Sequence, residues 1–329
     1  MASHAIAVVY LARGKDHGES GYATFLNSYW RRASTIPHEL VILSKGWESR
    51  AAEHRRLQQV AASRGYRLLE LPDDGFGTAA FFRAAALLDA EYLLFLTSTS
   101  TIESENYLEH LWKHVRRPGV GLVGTMGSWV RPMTPFCAKI ARYRQKNTVF
   151  AWLRMHRYKF RHRHDPGMAY HELLQGCHFP NYSIRTTGFM IRRSIFLDYI
   201  DTVPFPVTQL DGYNVEHCRQ SLTKYVMNGL RLRPLIVGAD GNAYEPDEWD
   251  KSNTFFVPDC SNALISDACS RYYQGLPPEE KRLHEEASWG RTMTPLTIES
   301  PANYASAISA DGAAGESCAT GRQVLCNRG

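Results

Sequence analysis

Five short apolar runs punctuate the first 125 residues of this 329-residue chain: AIAVVYLA (5–12), ELVILS (39–44), YRLLEL (66–71), YLLFL (92–96) and VGLVGT (120–125). None alternates between polar and apolar positions. Each therefore fits a strand buried on both faces, as in a parallel sheet. Helical patterns fill the gaps. Phe25, Leu26, Tyr29 and Trp30 form one apolar stripe, and residues 48–63 (ESRAAEHRRLQQVAAS) are strong helix formers. Residues 78–90 (TAAFFRAAALLDA) are nearly apolar all round and predict a deeply buried helix. Tyr107, Leu108, Leu111, Trp112 and Val115 give a further helix its inner face, with Ser104 as its expected N-cap. Strands alternating with helices imply right-handed crossovers and a doubly wound sheet.

Sheets of this kind bind ligands beyond the carboxyl ends of their strands. Attention falls on Arg13 and Gly14, on 44–46, on 72–75 and on the four hydroxyls Thr97, Ser98, Thr99 and Ser100. The first strand is followed by no GxGxxG, and GxxxxGK[ST] occurs nowhere, which argues against dinucleotide and P-loop enzymes. Apolar runs fall short of the ~20 residues that cross a bilayer. The N-terminal apolar run is short and β-branched, and it reads as a strand rather than a signal peptide. Seven scattered cysteines without a CxxC pair fit a reduced, cytoplasmic thiol set.

From 126 to 180 the periodicity gives way to aromatic and basic residues. The run RMHRYKFRHRH (154–164) stands out against a formal charge of only +5. His162, His164 and His171 lack the spacing of a zinc site, and one short basic stretch is too small a footprint for nucleic acid. Contact with an anionic membrane or a lipid-linked diphosphate through 154–164 is the functional expectation, against a solvated helical face. Regularity returns with a strand and short helix over 183–200 and with a helix and strand over 221–241. After about 290 the chain turns small and polar and is expected to form a disordered tail.

Six motifs in order carry a resemblance. The first helix has FLNSYW (25–30), the second strand HELVILSKGW (38–47), and the fourth strand ends in TSTS (97–100). IRTTGFMI (184–191), EHCRQSLT (216–223) and DGNAYEPDEWDKSNTF (240–255) follow. Across residues 5 to 275 this series resembles a bacterial group of GT-A glycosyltransferases, related to inverting family 2 and found in surface-polysaccharide synthesis. The resemblance implies a GT-A, Rossmann-like fold: a mostly parallel sheet flanked by helices, with a mixed C-terminal half. Residues 1–125 would bind a sugar nucleotide, and 126–275 would form the acceptor side with a basic insertion at 130–180. Residues 276–329 would supply a helical end and the tail. The sequence departs from the group's pattern at Gly77 (an Asp there), Thr97 (an Asn) and DACS (267–270, for DNQT).

The implied activity is transfer of a sugar from a sugar nucleotide to a hydroxyl of a surface-glycan or lipid-linked acceptor, in the cytoplasm or at the inner face of the membrane. Glu216 is the candidate base and Asp211 its runner-up on the same helix entry. Arg13, Lys45, Asp74, Ser98 and Ser100 are the donor-site candidates, and Arg185, Thr187, Tyr244 and Trp249 those of the acceptor side. GT-A enzymes commonly hold a divalent cation through Asp-x-Asp at the fourth strand, a motif missing here, and hydroxyls are poor ligands for Mg²⁺ or Mn²⁺. Three readings stay open. Ser98 and Ser100 bond the donor while Arg and Lys supply charge; a metal sits on Asp73, Asp74 or Asp240; or the hydroxyls only close the strand. A non-catalytic relative that binds a sugar nucleotide or glycan is the competing class.

Overall fold

A computed structural model gives the fold for residues 5–130, 148–161 and 177–295, with 143, 146, 163, 172 and 174 as isolated positions. The tail and His162, His164 and His171 lie outside the described residues. Among the described residues the central sheet has eight strands. β1 (Ile6–Arg13) pairs in parallel with β2 (Glu39–Lys45) and β4 (Tyr92–Leu96), and β2 with β3 (Arg67–Glu70). On the other side of β4 comes β9 (Gly188–Arg192), which runs antiparallel to both β4 and β6 (Val120–Gly124). β10 (Arg233–Val237) lies parallel to β6, and the short β11 (Ala243–Tyr244) closes that edge antiparallel. Two small pairs sit apart: β5 (Thr101–Ile102) with β12 (Ile265–Ser266), and β7 (Gly127–Ser128) with β8 (Ser183–Ile184).

The sheet is buried on both faces, as the continuous apolar runs require. Ala7, Val9 and Leu11 of β1 join one core, while Ile6, Val8, Tyr10 and Ala12 join the other. Helices α1 (Gly18–Arg31), α2 (Ala51–Arg64) and α4 (Tyr107–Val115) supply side chains to the second core. Helices α3 (Gly77–Leu87) and α6 (Arg193–Ile200) supply them to the first; α5 (Val149–Arg161) lies between in sequence. This is the Rossmann-like GT-A architecture with a mixed C-terminal region. At the centre of the first core, Phe95 meets Phe81, Phe189 and Phe196 at ring-centroid distances of 4.7, 5.2 and 5.0 Å.

Two expectations change. YRLLEL forms an edge strand, not a doubly buried one. Arg67 and Glu70 are exposed, because β3 has a neighbour on one side only. Ser104 does not cap α4: that helix starts after Asn106, which takes a left-handed φ of 57°, and the Ser104 hydroxyl donates to Glu105 O.

β9 decides what meets at the carboxyl edge of the sheet. Leu96, the last residue of β4, pairs with Gly188, the first of β9. Reversal thus brings the residues just before β9 beside those just after β4. Three longer helices follow, α7 (Gln209–His217), α8 (Ala268–Gln274) and α9 (Pro278–Trp289), with short helical turns at Leu222–Lys224, Tyr225–Gly229 and Pro246–Lys251. Truncating Phe95 to Ala is expected to destabilise the protein by about 3–5 kcal/mol. Urea unfolding should show a lower midpoint with an unchanged slope, and an unshifted midpoint would contradict this view of the core.

Candidate functional site

At the carboxyl ends of β1 and β2 three cations converge on one carboxylate. Asp73, in the loop after β3, lies 2.6 Å from Lys15 Nζ, 3.1 Å from Lys45 Nζ and 3.5 Å from Arg13 Nε. Lys45 is nearly inaccessible and also donates to Gly75 O at 2.7 Å, whereas half of the Lys15 side chain faces solvent. Arg13 Nη1 pairs with Asp16 at 3.0 Å, and Ser98 Oγ donates to the other Asp16 oxygen at 2.9 Å. On the solvent side Lys15 Nζ also lies 3.8 Å from the exposed Glu48 carboxylate, so the three cations meet Asp16, Asp73 and Glu48.

Burial acts to raise the Asp73 carboxyl, but bonds from Lys15 and Lys45 and the charge of Arg13 outweigh it and hold the group below its ordinary value. Burial pulls Lys45 below the usual lysine range, and the bond to Asp73 raises Lys15 above it. Arg13 Nε is buried and pairs with Asp73 at 3.5 Å without making a hydrogen bond, which an incoming anion would supply.

The hydroxyls after β4 mostly tie loops together. The Ser98 carbonyl accepts from Tyr10 OH at 3.1 Å, while Ser100 Oγ donates to Thr187 O at 2.7 Å and accepts from Thr97 N at 3.0 Å. Thr187 Oγ1 is buried and without a partner. One residue back, Thr186 N donates to Glu216 Oε1 at 3.2 Å. Glu216, on α7 and 7% exposed, also takes Arg185 Nε on Oε1 at 3.0 Å. Its Oε2 is engaged at longer range, by Thr186 Oγ1 at 3.5 Å and His217 Nε2 at 3.7 Å. His217 sits behind, with Nδ1 2.7 Å from Ser183 Oγ and Nε2 3.1 Å from Arg185 Nη1. Burial, then the charges of Arg185 and Lys224, push its imidazole well below the ordinary value, so it is neutral at pH 7.

The structure therefore joins Arg13, Lys45, Ser98, Ser100, Thr187, Arg185 and Glu216 through a continuous set of contacts along one edge. Other candidates are committed elsewhere. Asp211 completes a capping box at the start of α7, accepting from Thr208 N at 2.7 Å. Asp74 is half exposed and pairs with Arg83, so its neighbour Asp73 holds the inward position. The Tyr244 hydroxyl donates to Asp240 at 2.8 Å and is pushed up to about 12 by burial and then by that bond. An acceptor contact expected of Trp249 does not fit its burial. The indole is fully enclosed, donates to Tyr244 O at 3.1 Å and meets Tyr182 edge-on, so it shows no face to a sugar.

Sequence reasoning missed Lys15, Asp16, Thr186 and His217 as site residues and left Asp73 only as a metal ligand. Lys15 and Asp16 lie just past the end of β1, where the strand-end rule could have found them.

A divalent cation does not fit these residues. Hydroxyls such as Ser98 and Ser100 are weak ligands for hard cations, and the two nearby carboxylates, Asp16 and Asp73, are held by cations. Among the described residues no three His, Cys, Asp or Glu are grouped to hold a metal ion.

No protein-family model matches the chain, and no curated protein matches it. Similar solved structures include a mannosyltransferase from Pyrobaculum calidifontis in complex with GDP-Man and Mn²⁺, at 15% identity and a TM-score of 0.30, covering 40% of this chain and 37% of that one. Another is glucosyl-3-phosphoglycerate synthase from Mycobacterium tuberculosis with Mn²⁺, UDP and phosphoglyceric acid, at 16% identity and TM-score 0.33, covering 63% and 61%. S. aureus TarS 1–349 follows at 12% identity and TM-score 0.37, covering 68% and 55%. This chain thus spans less than two thirds of each of the three. At these scores the matches carry no argument about activity.

The depressed imidazole of His217 sets a pH dependence. Its unfolded form takes up a proton near 6.5 and its folded form does not. Stability is therefore complete above that pH and falls as pH drops toward the folded value, by up to ~1.4 kcal/mol per pH unit. Urea midpoints measured from pH 7 to 5.5 should decline, and less steeply in His217→Asn. Parallel profiles would contradict the assignment.

Proposed function

We propose that this protein is a GT-A glycosyltransferase that moves a sugar from a sugar nucleotide to a hydroxyl of a surface-glycan or lipid-linked acceptor, with inversion, in the cytoplasm. The observation that carries this reading is the meeting, on one sheet edge, of the Arg13–Lys15–Lys45 cation cluster and the buried carboxylate of Glu216. A surface-polysaccharide role rests on the sequence motifs.

The diphosphate of the donor would lie against Arg13 and Lys15, with Lys45 beneath. Arg13 Nε and Thr187 Oγ1, both buried and making no hydrogen bond, are donors available to its oxygens. As the bond from the anomeric carbon to the phosphate oxygen breaks, negative charge grows on the diphosphate, where fixed cations stabilise it. Asp73 holds those cations apart and in place before the donor arrives, so little reorganisation is needed. The acceptor hydroxyl attacks from the opposite face of the sugar, which inverts the anomeric centre, and its proton passes to Glu216. Arg185 and Thr186 anchor Oε1, leaving the more weakly engaged Oε2 as the accepting atom. Positive charge from side chains takes the part that a metal plays in related folds.

The ion pair between Arg185 and Glu216 favours a second reading, a binding protein without turnover, because the carboxylate is already engaged. A panel of sugar nucleotides screened by thermal shift identifies the donor, since binding raises apparent stability. Glu216→Gln is expected to slow release of nucleoside diphosphate by ~10²–10⁴-fold while keeping the donor-induced shift. Arg13→Ala with Lys15→Ala should abolish the shift itself. A shift without turnover in the unaltered protein would support the second reading, and an unchanged rate in Glu216→Gln would remove it as the base.

A further inference from the structure

Helix α5 is apolar on the side it turns away from the protein. Its inner side is short: Ala151 and Met155 are buried, Met155 against Tyr143 and Tyr158. On the outer side Val149 is 73% exposed, Phe150 79% and Phe160 68%, with Trp152 and Leu153 each more than half exposed. Five of the twelve large hydrophobic side chains exposed among the described residues belong to these thirteen positions. At about 100° per residue, Val149, Leu153 and Phe160 fall within about 40° of one another. Phe150 and Trp152 flank that ridge.

Charge on the helix is of one sign. Arg154 and Arg161 lie along one flank and Lys159 along the other, with Arg157 between Leu153 and Phe150, and no acidic residue occurs from 149 to 163. Arg163 stacks its guanidinium 4.3 Å from the Phe160 ring. An apolar ridge bordered by cations with long apolar stems is complementary to a surface that is anionic outside and hydrocarbon within. It does not suit a second copy of the same helix, which would set five like charges against five. Nor is the helix a span, since no described helix is long and apolar enough to cross a membrane.

We propose that this face of α5 docks on an anionic lipid bilayer, with Phe150, Leu153 and Phe160 entering the boundary between headgroups and acyl chains. Arg154, Arg157, Lys159 and Arg161 then meet the lipid phosphates. The sequence expectation placed the contact in the basic run 154–164; the structure moves its apolar part to 149–160. A protein held this way would meet a lipid-linked acceptor at the surface it grips, but the docking itself needs neither donor nor acceptor.

Co-sedimentation of the full chain with vesicles tests it. Phosphatidylcholine vesicles alone should retain little protein, and added phosphatidylglycerol should retain much more, with binding that weakens as salt rises. The triple variant Phe150→Ser, Leu153→Ser, Phe160→Ser is expected to partition at least about tenfold more weakly, as is Arg154→Gln, Arg157→Gln, Arg161→Gln. All these side chains are exposed, so thermal midpoints should stay unchanged and separate lost docking from lost folding. Brominated lipids should quench wild-type fluorescence more than that of Trp152→Phe. Equal pelleting of wild type and variants, or none, would overturn the proposal. So would a concentration-dependent dimer that the serine variant abolishes without any binding to vesicles. Because no sugar nucleotide is present, failure here leaves the transferase reading standing, and failure of that reading leaves this one.

Discussion

The site depends on one reversed strand. If β9 ran parallel to β4, its N-terminal residues would lie at the far edge of the sheet and Thr187 could not meet Ser100. Running antiparallel, β9 starts where β4 stops, and a single hydrogen bond from Ser100 Oγ to Thr187 O stitches the two ends together. Glu216 is then fixed by Thr186 and Arg185, the residues immediately upstream. A half that carries cations and a half that carries a carboxylate become one surface through this register.

Electrostatics on that surface centre on three cations gathered by one buried carboxylate, Asp73. Lys45 is taken almost wholly out of water, a position tolerated because Asp73 and the Gly75 carbonyl receive its ammonium. Asp73 cannot neutralise three cations at once, and Asp16 satisfies only part of Arg13. In the proposed reaction the donor diphosphate would meet Arg13, Lys15 and Lys45 together, and Arg13 Nε, which pairs with Asp73 at 3.5 Å but makes no hydrogen bond, would donate to it. Glycosyl transfer needs such a place, because its leaving group gains charge as the bond breaks. The four hydroxyls gain their meaning from this setting: the loop after β4 braces its neighbours, and the positive charge comes from the last residues of β1 and β2 and from Lys15 just past β1.

Much of the fold was legible because buried strands leave continuous apolar runs, which is a local signal. β1, β2, β4 and β6 follow that signal. β3 does not, since YRLLEL reads as buried while its missing neighbour exposes Arg67 and Glu70. The direction of β9 is set by pairing across nearly a hundred residues of sequence, and nothing within FMI records it. At the site, residue type narrowed the candidates but could not choose between neighbours: Asp73 and Asp74 differ only in which one the loop turns inward. Trp249 illustrates the opposite limit. An aromatic next to acidic residues looks like a sugar platform in sequence, and packing makes it core. Asp211 sat three residues after Thr208, the spacing of a capping box, and that local cue outweighs its nearness to Glu216.

The central claim is that side-chain cations, not a divalent metal, receive the donor diphosphate. Calorimetric titration of UDP and GDP into protein held in excess EDTA tests it most directly. Binding of at least one nucleotide should persist, weaken steeply with salt, and vanish in the Arg13→Ala, Lys15→Ala double variant. Binding that is absent in EDTA and restored by Mn²⁺ would contradict it.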